Sequence, residues 1–177
     1  TKPKLRYLIF YVTSRCNLRC SHCFYLDELN KHPELSIEET QKVAQSLGSL
    51  TFLRMTGGEP MLRKDLPELI HAFYLYSGTR RMGIITNGMR PEWVETAIRR
   101  TFQQCPDLVL DVGVSLDGLK EVHDEIRGVK GSYERARQSV DILNTLKSEF
   151  PNLQNSLVVT VTSKNANQLQ ALHDEIC

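Results

Sequence analysis

A chain of 177 residues with 41% apolar and 24% charged residues is long enough for one domain with a real core and is balanced like an ordinary globular protein. Its net charge of +1 gives no general pull toward nucleic acid or an anionic surface, and no apolar stretch approaches the roughly 20 residues that cross a bilayer, so neither nucleic acid nor membrane is expected as a partner. Five cysteines, three of them clustered, make an odd count that argues against a secreted disulfide framework and for a cytoplasmic protein.

The first apolar run, Tyr7–Thr13, is β-branched or aromatic and reads as a strand. The basic start before it has the look of a signal peptide, but the run is too short and lacks a small-residue cleavage site. Ser36 with Glu39 forms a capping box that opens a helix with Val43, Ala44 and Leu47 at helical spacing, and Gly48 stands near its end. Residues 51–56 make a second strand closed by Gly57-Gly58. Asp65 is expected to cap a helix through Leu69, Ile70, Phe73 and Tyr74 that ends at Gly78. Arg81–Thr86 is a third strand closed by Asn87-Gly88, and Pro91 then starts a helix carrying Val94, Ala97 and Ile98. Cys105, before Pro106, is expected near that helix's end as a small buried hydrophobe, and Cys177 is isolated. Residues 108–116 form a fourth strand closed by Asp117-Gly118, and residues 132–148 a helix with Ala136, Val140, Leu143 and Leu146 inward. Residues 157–162 are expected as the fifth strand, and Asn167 begins a last helix.

Five successive βα units imply an α/β fold with a mostly parallel sheet and covering helices. An open doubly wound sheet and a barrel both fit. A full eight-unit barrel takes about 250 residues, and an unclosed barrel exposes an edge. Residues 1–177 are therefore expected to be one domain, and an excerpt of a longer protein. The polar and glycine-rich positions fall at the C-terminal ends of strands, the edge where parallel α/β folds bind ligands. They are the cysteines after the first strand, Gly57-Gly58-Glu59-Pro60 after the second, Thr86-Asn87-Gly88 after the third, and Ser115 and Asp117 at the fourth.

Cys16, Cys20 and Cys23 admit three chemistries. Zinc wants four ligands, and His22 as the fourth would be wedged between two cysteines. A redox dithiol needs only Cys20 and Cys23 and leaves Cys16 unused. An iron–sulfur cluster uses all three and suits thiolate preference. A cubane with three protein thiolates keeps one iron open to a ligand that is not protein.

Cys16-Asn17-Leu18-Arg19-Cys20-Ser21-His22-Cys23 resembles the signature of the radical S-adenosylmethionine (SAM) enzymes, and Gly57-Gly58-Glu59-Pro60 resembles their second motif. Ser115-Leu116-Asp117-Gly118, His123-Asp124, Ile126-Arg127-Gly128 and Gly131-Ser132-Tyr133-Glu134 are similar to the branch of sulfatase-maturing, pyrroloquinoline-quinone and molybdenum-cofactor synthesis enzymes. The resemblance covers essentially the whole chain. It implies a partial TIM-like (β/α)6 barrel that stops before its sixth unit, as the core domain of a larger enzyme. It implies a [4Fe–4S] cluster on Cys16, Cys20 and Cys23, SAM on the open iron, and reductive cleavage to methionine and a 5′-deoxyadenosyl radical that takes hydrogen from a substrate. The substrate is a peptide, a protein or a small molecule, and the electron donor a flavodoxin or ferredoxin.

The same resemblance distributes the SAM contacts. Gly57 and Gly58 lend backbone to the methionine amino group, a close approach that glycine permits, and Glu59 helps orient that group. Ser115 contacts ribose or carboxylate, and Arg127 holds the carboxylate through its guanidinium. Thr86 and Asn87 are candidates for the ribose or substrate side, against simple turn chemistry. His22 stands where the family usually has an aromatic residue beside adenine. Asp117, His123 and Asp124 are expected to shape a turn and cap a helix rather than touch substrate. The competing reading is a non-catalytic iron–sulfur or zinc-binding α/β module.

Overall fold

In a computed structural model that describes residues 5–176, five parallel strands form one sheet in the order of the chain: β1 (Tyr7–Thr13), β2 (Phe52–Gly57), β3 (Arg81–Thr86), β4 (Val109–Ser115) and β5 (Leu153–Val158). The helices between them are α1 (Ile37–Leu47), α2 (Leu66–Ala72), α3 (Pro91–Gln104), α4 (Lys120–Arg127) and α5 (Ser132–Leu146), and α6 (Leu169–Ile176) follows β5. Cys177 lies outside the described residues. The strand order decides between the two sheet types. A doubly wound sheet reverses direction partway, whereas every crossover here steps to the next neighbour, as in a barrel. The sheet does not close, and β1 and β5 are its edges.

Stepping one way puts the helices on one face. There Leu53 and Met55 of β2, Met82 and Ile84 of β3, and Leu110, Val112 and Val114 of β4 are buried against Leu69 and Ile70 of α2, Val94 and Ile98 of α3, and Val140 and Leu143 of α5. The other face carries the alternate residues, because side chains along a strand alternate. On it Tyr7, Ile9 and Tyr11 are about half exposed. Arg54 reaches across Gly83 to Asp111, 3.0 Å from Nη1 to Oδ2, and Asp111 also accepts the Ser156 hydroxyl. A Cβ on Gly83 would lie 2.5 Å from that guanidinium.

Most element boundaries follow the sequence. Ser36 and Glu39 form the reciprocal capping box of α1, Pro91 opens α3, and Cys105 is fully buried at its end. Three expectations need correction. Asp65 makes no capping hydrogen bond at α2, because its carboxylate is taken by Arg63. The fifth strand is Leu153–Val158 rather than residues 157–162, since Leu110 to Ser115 of β4 register against Leu153 to Val158. The β-branched run past Val158 leaves the sheet, where Thr160 N–H is drawn to Asp117 Oδ1 at 2.9 Å. Helix α4 is an element of its own between β4 and α5; it is only two turns long, and its apolar stripe is confined to Leu119, Val122 and Ile126, too short to stand out from a loop.

Candidate active site

At the C-terminal edge of the sheet lies a cleft of about 310 Å3. Cys16, Cys20, His22, Cys23, Gly57, Gly58, Glu59, Thr86, Asn87, Ser115 and Arg127 all line it, joined by Thr56, Ile85, Val158 and Thr160. Four strand ends, the cysteine loop and the end of α4 therefore meet at one place, as their common position on a parallel sheet requires.

The cysteine loop is held at several points. Cys16 N–H donates to Asn30 Oδ1 at 3.0 Å, Cys23 N–H to the Cys20 carbonyl at 3.0 Å, and Ser21 N–H to the Ile126 carbonyl of α4 at 2.8 Å. Cys16, Cys20 and Cys23 are free thiols. Burial pushes the Cys16 thiol up to about 11, against the Leu18 N–H that points at its sulfur. Burial also raises Cys20, and the Arg127 guanidinium works against it. Uncomplexed, the Cys16 and Cys20 thiols stay protonated at neutral pH, and a bound metal would have to displace their protons.

The glycines of the second motif also answer a demand within the protein. A Cβ on Gly58 would lie 2.2 Å from the Arg15 carbonyl oxygen, and one on Gly57 would lie 2.4 Å from that of Thr13. Gly57 also has φ of +124°, a conformation that favours glycine. These residues are small so that the segment can run against the start of the cysteine loop. Gly58 N–H donates to the Thr13 carbonyl and Glu59 N–H to that of Arg15, at 2.8 and 2.7 Å.

Glu59 is 2% exposed. Its Oε1 accepts from Met61 N–H and the Thr86 hydroxyl, and its Oε2 from Asn87 N–H at 2.6 Å. Burial raises its pKa, while these donors pull the other way. The carboxylate thus ties the end of β2 to the end of β3. Asn87 continues the tie through Nδ2, which donates to Asn17 Oδ1 in the cysteine loop at 2.9 Å. Ser115 ends β4 and is 7% exposed at the cleft wall.

Arg127 is not a solvated helix-end charge. It is 7% exposed, with Nη1 3.6 Å from Cys20 Sγ and Nε 2.8 Å from Asp117 Oδ2. The Nε pair is out of line for a hydrogen bond and is held by charge. Asp117 is fully buried and gathers groups from several elements. Its N–H donates to His123 Nδ1, its carbonyl accepts from Asn165 Nδ2, and its Oδ1 accepts from Thr160 N–H. His22 Nε2 is 3.8 Å from the same carboxylate. Burial lowers the His22 pKa against the pull of Asp117. Asp117 and His123 do shape the turn, as expected. Asp124 caps α5, accepting from Gly131 N–H, Tyr133 N–H and the Ser132 hydroxyl.

The donor set fits an iron–sulfur cluster. Three thiols share one cleft with a buried guanidinium, and the His22 Nδ1 is buried with no partner among the described residues. Soft thiolates are the ligands that iron–sulfur clusters take.

The sequence profile of the Radical SAM superfamily matches residues 10–172. The Fe-coproporphyrin III synthase of Methanosarcina barkeri is 33% identical over 98% of this chain and 41% of its own length. The antilisterial bacteriocin subtilosin biosynthesis protein AlbA of Bacillus subtilis is also 33% identical, over 80% of this chain and 31% of its own. The structure of anSMEcpe with bound AdoMet and Kp18Cys peptide superposes with a TM-score of 0.74 over 98% of this chain and 49% of that one, at 21% identity, which establishes a common fold. The chain thus spans less than half the length of each of these proteins.

Proposed function

This chain belongs to the radical SAM superfamily, and from that premise we propose that Cys16, Cys20 and Cys23 hold a [4Fe–4S] cluster and that the cleft beside them binds SAM. The observation that carries the proposal is the meeting of the three thiols with Gly57, Gly58, Ser115 and Arg127 around one cleft at the strand ends. Held by Cys16, Cys20 and Cys23, a cluster would supply the electron for reductive cleavage of SAM and so the means of taking hydrogen from a substrate. The chain's own residues do the positioning. Arg127 presents a cation, already desolvated, to the SAM carboxylate. The second-motif backbone, seated on the cysteine loop, faces the methionine amino group. Glu59 acts through the loops it joins, since its oxygens already accept from Met61, Thr86 and Asn87. Ser115 offers a hydroxyl to ribose or carboxylate, and His22 a flat ring beside adenine.

The substrate is a peptide or a small molecule. A bacteriocin biosynthesis protein and a porphyrin synthase among the relatives support both classes equally. A flavodoxin or ferredoxin in the cytoplasm is the proposed electron source. Among the described residues no helix is long and apolar enough to cross a membrane.

Anaerobic reconstitution with iron and sulfide is expected to give a brown protein that, reduced with dithionite, converts SAM to 5′-deoxyadenosine detectable by chromatography. Cys20→Ala is expected to abolish the product. Persistence of cleavage in that variant would sink the cluster assignment, and colourless protein holding zinc would favour the non-catalytic module.

A further inference from the structure

The Arg127 side chain faces two ways. Its Nη1 is 3.6 Å from Cys20 Sγ, and its Nε is 2.8 Å from Asp117 Oδ2. Both partners are buried, so little water screens either contact. Asp117 cannot swing away, because its Oδ1, N–H and carbonyl are each bonded, to Thr160, His123 and Asn165. Nor can the cysteine loop drift from α4, since Ser21 N–H is bonded to the Ile126 carbonyl, one residue before Arg127. The other charged or titratable groups around Arg127 are Glu59, His22 and His123. The guanidinium is a permanent positive charge in contact with the Cys20 sulfur.

We propose that Arg127 donates a hydrogen bond to the Cys20 sulfur, that Asp117 is the positioning residue which holds it there, and that together they raise the reduction potential of the cluster. The inference rests on the cluster assignment above. Adding one electron makes the cluster and its sulfurs more negative. A donor and a cation aimed at a ligand sulfur stabilise that reduced form more than the oxidised one. The contact is to the protein's own ligand, so it acts before SAM arrives.

The test is an EPR-monitored dithionite titration of the reconstituted protein without SAM, which removes the Arg127 contact to the SAM carboxylate from the comparison. Iron content and thermal unfolding are measured on every variant. Arg127→Gln is expected to shift the midpoint to more negative potential. Arg127→Lys keeps the charge but cannot span both partners, and is expected to shift it less. Asp117→Asn gives the sharper sign. With Oδ1 still accepting from Thr160 N–H, the amide NH2 faces Arg127 donor to donor and unseats it. Losing a negative charge alone would move the midpoint up; losing Arg127 from the sulfur moves it down, and down is expected. Unchanged midpoints at equal iron content overturn the inference alone. An upward shift in Asp117→Asn overturns the positioning role. A parent protein that takes up no iron overturns the cluster assignment and this inference together. If Arg127→Gln fails to fold, Arg127→Lys and Asp117→Asn decide the matter.

Discussion

His123 shows how an apparently functional residue can serve packing. It is fully buried, and its Nδ1 accepts the Asp117 N–H, which fixes the proton on Nε2. Burial pushes its pKa down to about 4, with the Arg127 charge adding to the effect. The unfolded chain takes a proton near 6.5 that the folded chain refuses until about 4. Stability from this residue is therefore complete above pH 6.5 and is lost on acidification through that window, by ~3 kcal/mol at about 1.4 kcal/mol per unit. Urea unfolding of the apo-protein from pH 7 to pH 4 is expected to show that decline. In His123→Leu it should be flatter by one proton, on a base lowered by about 1–3 kcal/mol for the orphaned Asp117 N–H. An unchanged slope would remove His123 as its source. Gly57 and Gly58 were readable as places for close approach, but the sequence could not say that the Thr13 and Arg15 backbone also approaches them. Arg127 and a solvated arginine look alike until a buried Asp117 is found ten residues upstream in the chain.

Among the elements, α1 and α3 were legible because their signals are local: a capping box and an apolar stripe in one, a proline at the first turn in the other. Helix α4 was less so, because its stripe of Leu119, Val122 and Ile126 is short; a pair of tertiary ties docks it, Arg127 to Asp117 at 2.8 Å and Ile126 to Ser21 at 2.8 Å. The start of α5 depends on a carboxylate outside the helix. Asp124 accepts from two backbone N–H groups and the Ser132 hydroxyl, and although burial opposes it, these donors hold its carboxyl below the usual range. Asp124→Ala is expected to cost about 2 kcal/mol, the upper range for a lost cap, read as a lower unfolding midpoint. A variant as stable as the parent would show that α5 needs no such cap. Strand β5 was displaced in the sequence reading because apolar run and strand were equated. Its open face carries Gln154 and Ser156, and its register is set by β4.

For the molecule as a whole, sequential parallel strands leave one face of the sheet without helices. Tyr7, Ile9 and Tyr11 stand about half exposed there, on an edge strand with unpaired backbone groups. Produced as residues 1–177 alone, the chain is expected to bind the dye ANS and to associate with rising concentration by light scattering. Ile9→Ser with Tyr11→Ser should reduce both; undiminished association would place the contact elsewhere. The sequence by itself determined the alternation of strands and helices, the parallel sheet and the ligand edge, and it picked out the three cysteines and the second motif. Those are written in short-range patterns: period, punctuation and spacing. Only the tertiary structure decided that Glu59 is a tie between loops. It alone joined Asp117, Arg127 and Cys20 into one chain of contacts. These depend on groups far apart in sequence, brought together by sheet register and helix docking, and made strong by burial, which no local pattern records.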